Sequence, residues 1–191
     1  MKEGVSMLSS PIFWLILLNL IFFAVSLLVA SAPDFRESFF KMPRVLQQAF
    51  IIPVVVPQWI LPLFPQPRFE TFVLVTIVGA LLIVAAAVFL VAAFRKIGVI
   101  PSEIPEGARK GLITTGIYGI VRNPIYTANV AMALGLALVF RGLYGLVYVP
   151  VVCILFALIT IFEEKDLLQI YGDQYMQYMK KVPYRFIPKV V

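Results

Sequence analysis

Five stretches of this chain are apolar over a length that matters, and nearly all charge falls between them. Pro11 to Ala30, Leu46 to Phe64, Phe72 to Phe94, Ile125 to Phe140 and Leu143 to Phe162 contain no Asp, Glu, Lys or Arg. A helix of about 20 apolar residues matches the ~30 Å hydrocarbon core of a bilayer. The pattern predicts an all-α integral membrane protein with about five transmembrane helices. Leu46–Phe64 carries Pro53, Pro57 and Pro62, so it reads either as a kinked spanning helix or as a re-entrant segment. The first run ends in Ala30-Ser31-Ala32, which looks like a signal-peptidase site. It is longer than a usual signal core and follows a nearly neutral Lys2-Glu3, so an uncleaved helix is expected.

The last two runs are separated only by Arg141-Gly142, a tight turn. They should form an antiparallel hairpin that brings residues 123–126 close to residues 159–164. Ala131 and Gly135, and the alanines from Ala85 to Ala93, are small enough for close helix packing. After Phe162 the chain turns polar with Glu163-Glu164-Lys165-Asp166. Leu167, Tyr171, Tyr175 and Tyr178 then recur at helical spacing, which predicts an amphipathic tail helix at the membrane interface, ended by Pro183 and Pro188. One membrane domain is expected, with N-terminal transmembrane helices over residues 1–96 and a loop, hairpin and tail over residues 97–191.

Composition agrees: 61% of residues are hydrophobic, 14% are charged and the mean hydropathy is +0.96. The net charge of +6 sits at the ends of the apolar runs and reads as membrane orientation and lipid contact, not nucleic-acid binding. With five helices, all 16 Lys and Arg except Lys2, Arg68 and Arg141 lie on one side. That side is the cytoplasm by the positive-inside rule, which in a prokaryote means the inner membrane. A four-helix arrangement would move Arg36, Lys41 and Arg44 across but leave the 95–124 loop and the tail inside. The chain has no His and a single Cys, Cys153, within an apolar run. A His/Cys metal site, an internal disulfide and a His-activated nucleophile are all excluded. Spans without ionisable residues also argue against ion-coupled transport.

The polar material therefore gathers on one face. Its first piece is Lys110–Tyr126, KGLITTGIYGIVRNPIY. Asn123-Pro124 is a helix start, with Asn suited to the cap and Pro to the first helical position. It reads either as a plain cap or, with Arg122 beside free N–H groups, as an anion site. The second piece is the Glu163-Glu164 pair. Negative charge is unfavourable at the end of a helix, so the pair reads either as a solvated boundary or as one inward carboxylate that binds hydroxyls or an ammonium.

Together, TTGIYGIVRNPIY (Thr114–Tyr126), EEKDLLQIYGDQY (Glu163–Tyr175) and YMKKVPYRFIP (Tyr178–Pro188) resemble the isoprenylcysteine carboxyl methyltransferase family. That family is related to the phospholipid N-methyltransferases. The resemblance implies S-adenosylmethionine held between the C-terminal helices and the cytosolic tail, with a lipid or lipidated small molecule entering from the bilayer. By position it implies cofactor contacts at Lys110, Gly111, Leu112, Ile113, Tyr118, Asn123, Pro124, Tyr126, Glu163 and Glu164, with Arg122, Glu163 and Glu164 nearest the chemistry. Two features depart from the family pattern. The usual Arg-His-Pro is Arg122-Asn123-Pro124 here, and the turn before the acid pair, Ile159–Phe162, lacks the substrate-binding Arg of the eukaryotic enzymes. The expectation is a membrane methyltransferase. Its alternatives are a phospholipid ethanolamine N-methyltransferase, a non-enzymatic membrane scaffold and a nicotinamide-dependent membrane reductase. No Gly-rich phosphate loop follows a strand to support the last of these.

Overall fold

The structure, a computed structural model, describes residues 9–97 and 111–186. Among the described residues the α-helices run in the order α1 (Pro11–Ser31), α2 (Pro33–Phe40), α3 (Arg44–Ile60), α4 (Val73–Ile97), α5 (Pro124–Phe140), α6 (Leu143–Tyr171) and α7 (Asp173–Lys181). Among the described residues, α1, α3 with the turn after it, α4 and α6 are long and apolar enough to cross a membrane, and α5 is a shorter apolar helix. The chain is an all-α integral membrane protein.

Leu46–Phe64 is helical almost throughout, with Pro53 and Pro57 inside α3 and a 3-10 turn at Leu61–Leu63. A buried side chain makes this possible. Pro57 has no N–H, so the Pro53 carbonyl loses its helical donor. Asn19 of α1 replaces it: its Nδ2 donates to Pro53 O at 2.8 Å and to Val54 O at 2.8 Å. Its Oδ1 accepts from the Tyr148 hydroxyl of α6 at 2.9 Å. One buried amide thus ties three helices at the centre of the bundle, beside a core of Phe23, Leu61, Val152, Phe156 and Ile159.

α4 is built the opposite way round from a soluble helix. Its large residues, among them Val73, Leu74, Leu81 and Val84, are exposed, whereas Ala86 and Ala93 are buried. Contact with α5 is at backbone distance: a Cβ built on Gly135 would lie 2.8 Å from Gly79 O. The α5–α6 hairpin forms as the sequence predicts, with Arg141 in the left-handed region (φ 55°). Arg68 donates from Nη1 to Phe140 O at 2.6 Å, and Gln66 Oε1 accepts from Tyr144 N at 2.8 Å at the start of α6.

Two elements differ from expectation. Residues 33–40, within a polar connection, form α2, because Pro33 suits a first helical position and Asp34 falls in the first turn. The tail is not one helix: α6 continues unbroken through Glu163 and Glu164 to Tyr171, and Gly172 (φ +52°) separates it from α7. At 29 residues and 1.5 Å each, α6 is about 43 Å long, so its last turns extend beyond a ~30 Å hydrocarbon core. Tyr175 and Tyr178 are not surface anchors; they are buried with Val182.

Candidate functional site

The site begins where α5 starts. The chain enters through a 3-10 turn at Gly116–Gly119 and reaches Asn123 at the cap position. The segment after α7 folds back along it. Arg122 N donates to Tyr184 O at 2.9 Å, Asn123 N to Arg185 O at 3.0 Å, and Thr127 Oγ1 to Phe186 O at 2.8 Å. The Tyr178 hydroxyl adds a bond to Tyr118 O at 2.7 Å. Loop and tail, far apart in sequence, are laced into one unit over the end of the hairpin.

The two carboxylates, adjacent on α6, face different surroundings because successive helical residues point about 100° apart. Glu164 is buried. Its Oε1 accepts from Arg122 Nε at 2.8 Å and its Oε2 from Arg185 Nε at 2.9 Å. Arg122 also donates from Nη1 to Val182 O at 2.8 Å. The solvated-boundary reading therefore fails for Glu164. The anion that meets Arg122 at the start of α5 belongs to the protein itself, and the guanidinium is committed to it.

Glu163 instead accepts from the Tyr126 hydroxyl at 2.7 Å. The Tyr126 ring stacks on Phe156 with centroids 4.7 Å apart. Tyr126 and Glu163 line a cavity of about 410 Å³ among α1, α2, α3, α4, α5 and α6. Val29, Phe50, Val54 and Phe156 form apolar walls, and Arg36, Asn129 and Asp166 join Tyr126 and Glu163 among its polar residues. Tyr118 is close enough to sense Glu163: burial, and secondarily that charge, push its phenol up to about 12, so it remains a hydrogen-bond donor at neutral pH.

The other sequence candidates are placed as follows. Lys110 lies outside the described residues. Gly111 is exposed, with no atom of the described residues within 4 Å of a built Cβ. Leu112 packs against the Tyr175–Tyr178–Val182 cluster, and Ile113 is half-buried. Pro124 is buried at the first helical position. Asn123 makes no side-chain capping bond, and its Nδ2 is buried without a partner among the described residues. Five side chains that the sequence did not single out take part in these contacts. Arg185 shares Glu164. Arg36 and Asp166 form an ion pair of 2.7 Å at the cavity, though 130 positions separate them. Asn129 and Asn19 stand out as amides within apolar runs, a signal that a survey of charged residues alone passes over.

The sequence matches the phospholipid methyltransferase family over residues 74–174, which takes in the hairpin and the acid pair. It is also 38% identical over 90 residues to the Delta(14)-sterol reductase TM7SF2 of Mus musculus, an alignment covering 46% of this chain. The chain spans about a fifth of the length of that relative, 21%. No solved structure matches. With more than half its length in the matched region, the chain belongs to the phospholipid methyltransferase family.

Proposed function

We infer that this protein is a membrane methyltransferase that uses S-adenosylmethionine and methylates a lipophilic acceptor from the bilayer, with its site on the cytoplasmic face. The observation that carries the reading is the Tyr126–Glu163 pair at 2.7 Å on the wall of an otherwise largely apolar cavity. An apolar cavity takes the body of an amphiphile, and a carboxylate in its wall takes a polar or cationic end.

The residues present fit such a cofactor. The buried Nδ2 of Asn123, unpartnered among the described residues, is a donor in search of an acceptor, and Glu163 supplies an acceptor for hydroxyls or an ammonium. Bound there, S-adenosylmethionine would supply an electrophilic methyl group. Glu163 would accept a proton from a protonated amine acceptor, with Tyr126 orienting the carboxylate. Tyr118 would close the polar side. Arg122 and Glu164 would act through the loop and tail they clamp, keeping Asn123 and Tyr126 in register with Glu163. Much of the catalysis would be positioning and exclusion of water. Among acceptors, an amine of the phospholipid type suits a cavity whose charged residues are Arg36, Glu163 and Asp166 better than a carboxylate does.

The identity to a sterol reductase favours a second reading, reduction of a lipid with a nicotinamide cofactor. Calorimetry and thermal unfolding of the purified protein with S-adenosylmethionine, its demethylated product and NADPH distinguish the two. Saturable binding of the first pair alone is expected. Binding of NADPH alone would replace the methyltransferase with the reductase, and binding of none by folded protein would leave a scaffold.

A further inference from the structure

Asn129 is 3% exposed and lines the cavity. Its Nδ2 donates to Ile125 O at 2.9 Å, one turn back along α5. That bond fixes the orientation of the amide, since the reverse placement would set oxygen against oxygen. Its Oδ1 is therefore the acceptor left over, and it is buried with no hydrogen-bond partner among the described residues. A buried orphan acceptor is costly, and few persist in native proteins without a ligand or water to answer them. Tyr126 lies three residues earlier, so the two side chains neighbour each other on one face of α5. The Tyr126 hydroxyl is already spent on Glu163. The lining of the cavity thus includes two acceptor-bearing side chains, Glu163 and Asn129, while the Arg36 guanidinium is held by Asp166.

We propose that Asn129 is a specificity-determining residue of this cavity, whose Oδ1 receives a hydrogen bond from an N–H or O–H on the head of a bound amphiphile. The proposal deepens the functional reading given above and rests on it only in taking the cavity as the seat of the lipophilic substrate. Its content is chemical: heads that carry a donor are selected, and heads that offer acceptors alone are refused, because they would leave Oδ1 unanswered. Discrimination of this kind, against an analogue that lacks the hydrogen-bonding group, is stronger than discrimination by apolar contact.

The test compares two pairs of probes that differ in the donor: 1-dodecanol with methyl dodecyl ether, and dodecylamine with dodecyltrimethylammonium. Each is titrated against the protein in lipid nanodiscs, with thermal unfolding as the readout, for the wild type and Asn129→Leu. Partition into the lipid is the same for both proteins and cancels. The wild type should bind the donor-bearing member of at least one pair about five- to ten-fold more tightly, and Asn129→Leu should lose that gap while still binding the donorless member. The pair that shows the gap tells hydroxyl from amine. A wild type without a gap in either pair overturns the proposal even if the variant fails to fold. A gap that survives in Asn129→Leu overturns it too, and would assign the selection to Glu163. Cofactor titrations on the same samples are independent: a wild type with no gap but intact S-adenosylmethionine binding sinks this proposal alone, and a wild-type gap that Asn129→Leu abolishes, without S-adenosylmethionine binding, sinks the methyltransferase reading alone.

Discussion

Arg122 Nε donates to Glu164 Oε1 at 2.8 Å across 42 positions of sequence, and both side chains are almost fully withdrawn from solvent, at 7% and 4% exposure. The contact joins the start of α5 to the last turns of α6, beyond its apolar run. Through Arg122 Nη1 and Arg185 it also fixes the tail.

This pairing sets the expected difference between the neighbouring acids. Glu164→Gln leaves two guanidinium groups facing a neutral amide, one of them buried. The loss should be about 3 kcal/mol, the low end for breaking a buried pair because Arg185 is partly solvated. Glu163→Gln keeps a carbonyl to accept from Tyr126 and should melt near wild type. It should nevertheless lose about ten- to a hundred-fold in S-adenosylmethionine affinity, through the missing charge. Thermal unfolding and calorimetry on both variants check this. Equal stabilities would show that the Arg122 clamp contributes nothing.

Asn19→Leu removes the donor that answers Pro53 O and Val54 O and the acceptor of the Tyr148 hydroxyl. The expected cost is about 1–3 kcal/mol, read as a lower unfolding temperature in detergent. If the variant is as stable as wild type, the proline-bearing α3 does not depend on α1 for its hydrogen bonding.

The α4–α5 contact should tolerate no added carbon. A Cβ on Gly135 meets both Gly79 O and Ile83 Cγ1 at 2.8 Å, and a backbone oxygen cannot swing away. Gly135→Ala should cost about 1–3 kcal/mol. Gly111→Ala, with open space around it, serves as the control and should move stability by less than about 0.5 kcal/mol. A neutral Gly135→Ala would mean that the two helices can separate freely.

The laced tyrosines predict behaviour in alkali. Burial is the first cause holding both Tyr118 and Tyr178 up to about 12, against about 10 for an ordinary phenol. Below pH 10 the folded and unfolded chains are both protonated at these positions, so their contribution is fully present. Between about pH 10 and 12 the unfolded chain ionises first, and stability falls. Unfolding temperature followed across that range should drop, and Tyr178→Phe should flatten the slope. Tyrosinate absorbance rising near pH 10 for all 8 tyrosines, with no loss of fold, would contradict this.

Membrane residence, the helical class and the hairpin were legible in the sequence because each rests on a local property. Uncharged runs of sufficient length must be helical in lipid, where no water can satisfy the backbone, and Arg141-Gly142 leaves the last two runs no arrangement but side by side. That the acid pair meets the start of α5 follows from the same hairpin. What each carboxylate faces is only weakly marked, because Glu163 and Glu164 are identical in type and differ only in rotation about α6 and in Glu163 standing next to the apolar run, which favours it as the inward acid. The tertiary structure assigns Arg122 and Arg185 to Glu164, and Tyr126 and the cavity to Glu163. It likewise decided that Tyr175 and Tyr178 turn inward, because Gly172 re-aims α7 and the tail returns to pair with residues 122 and 123. Such contacts depend on which distant groups arrive at one place, and hydrophobic periodicity along the chain carries no record of that.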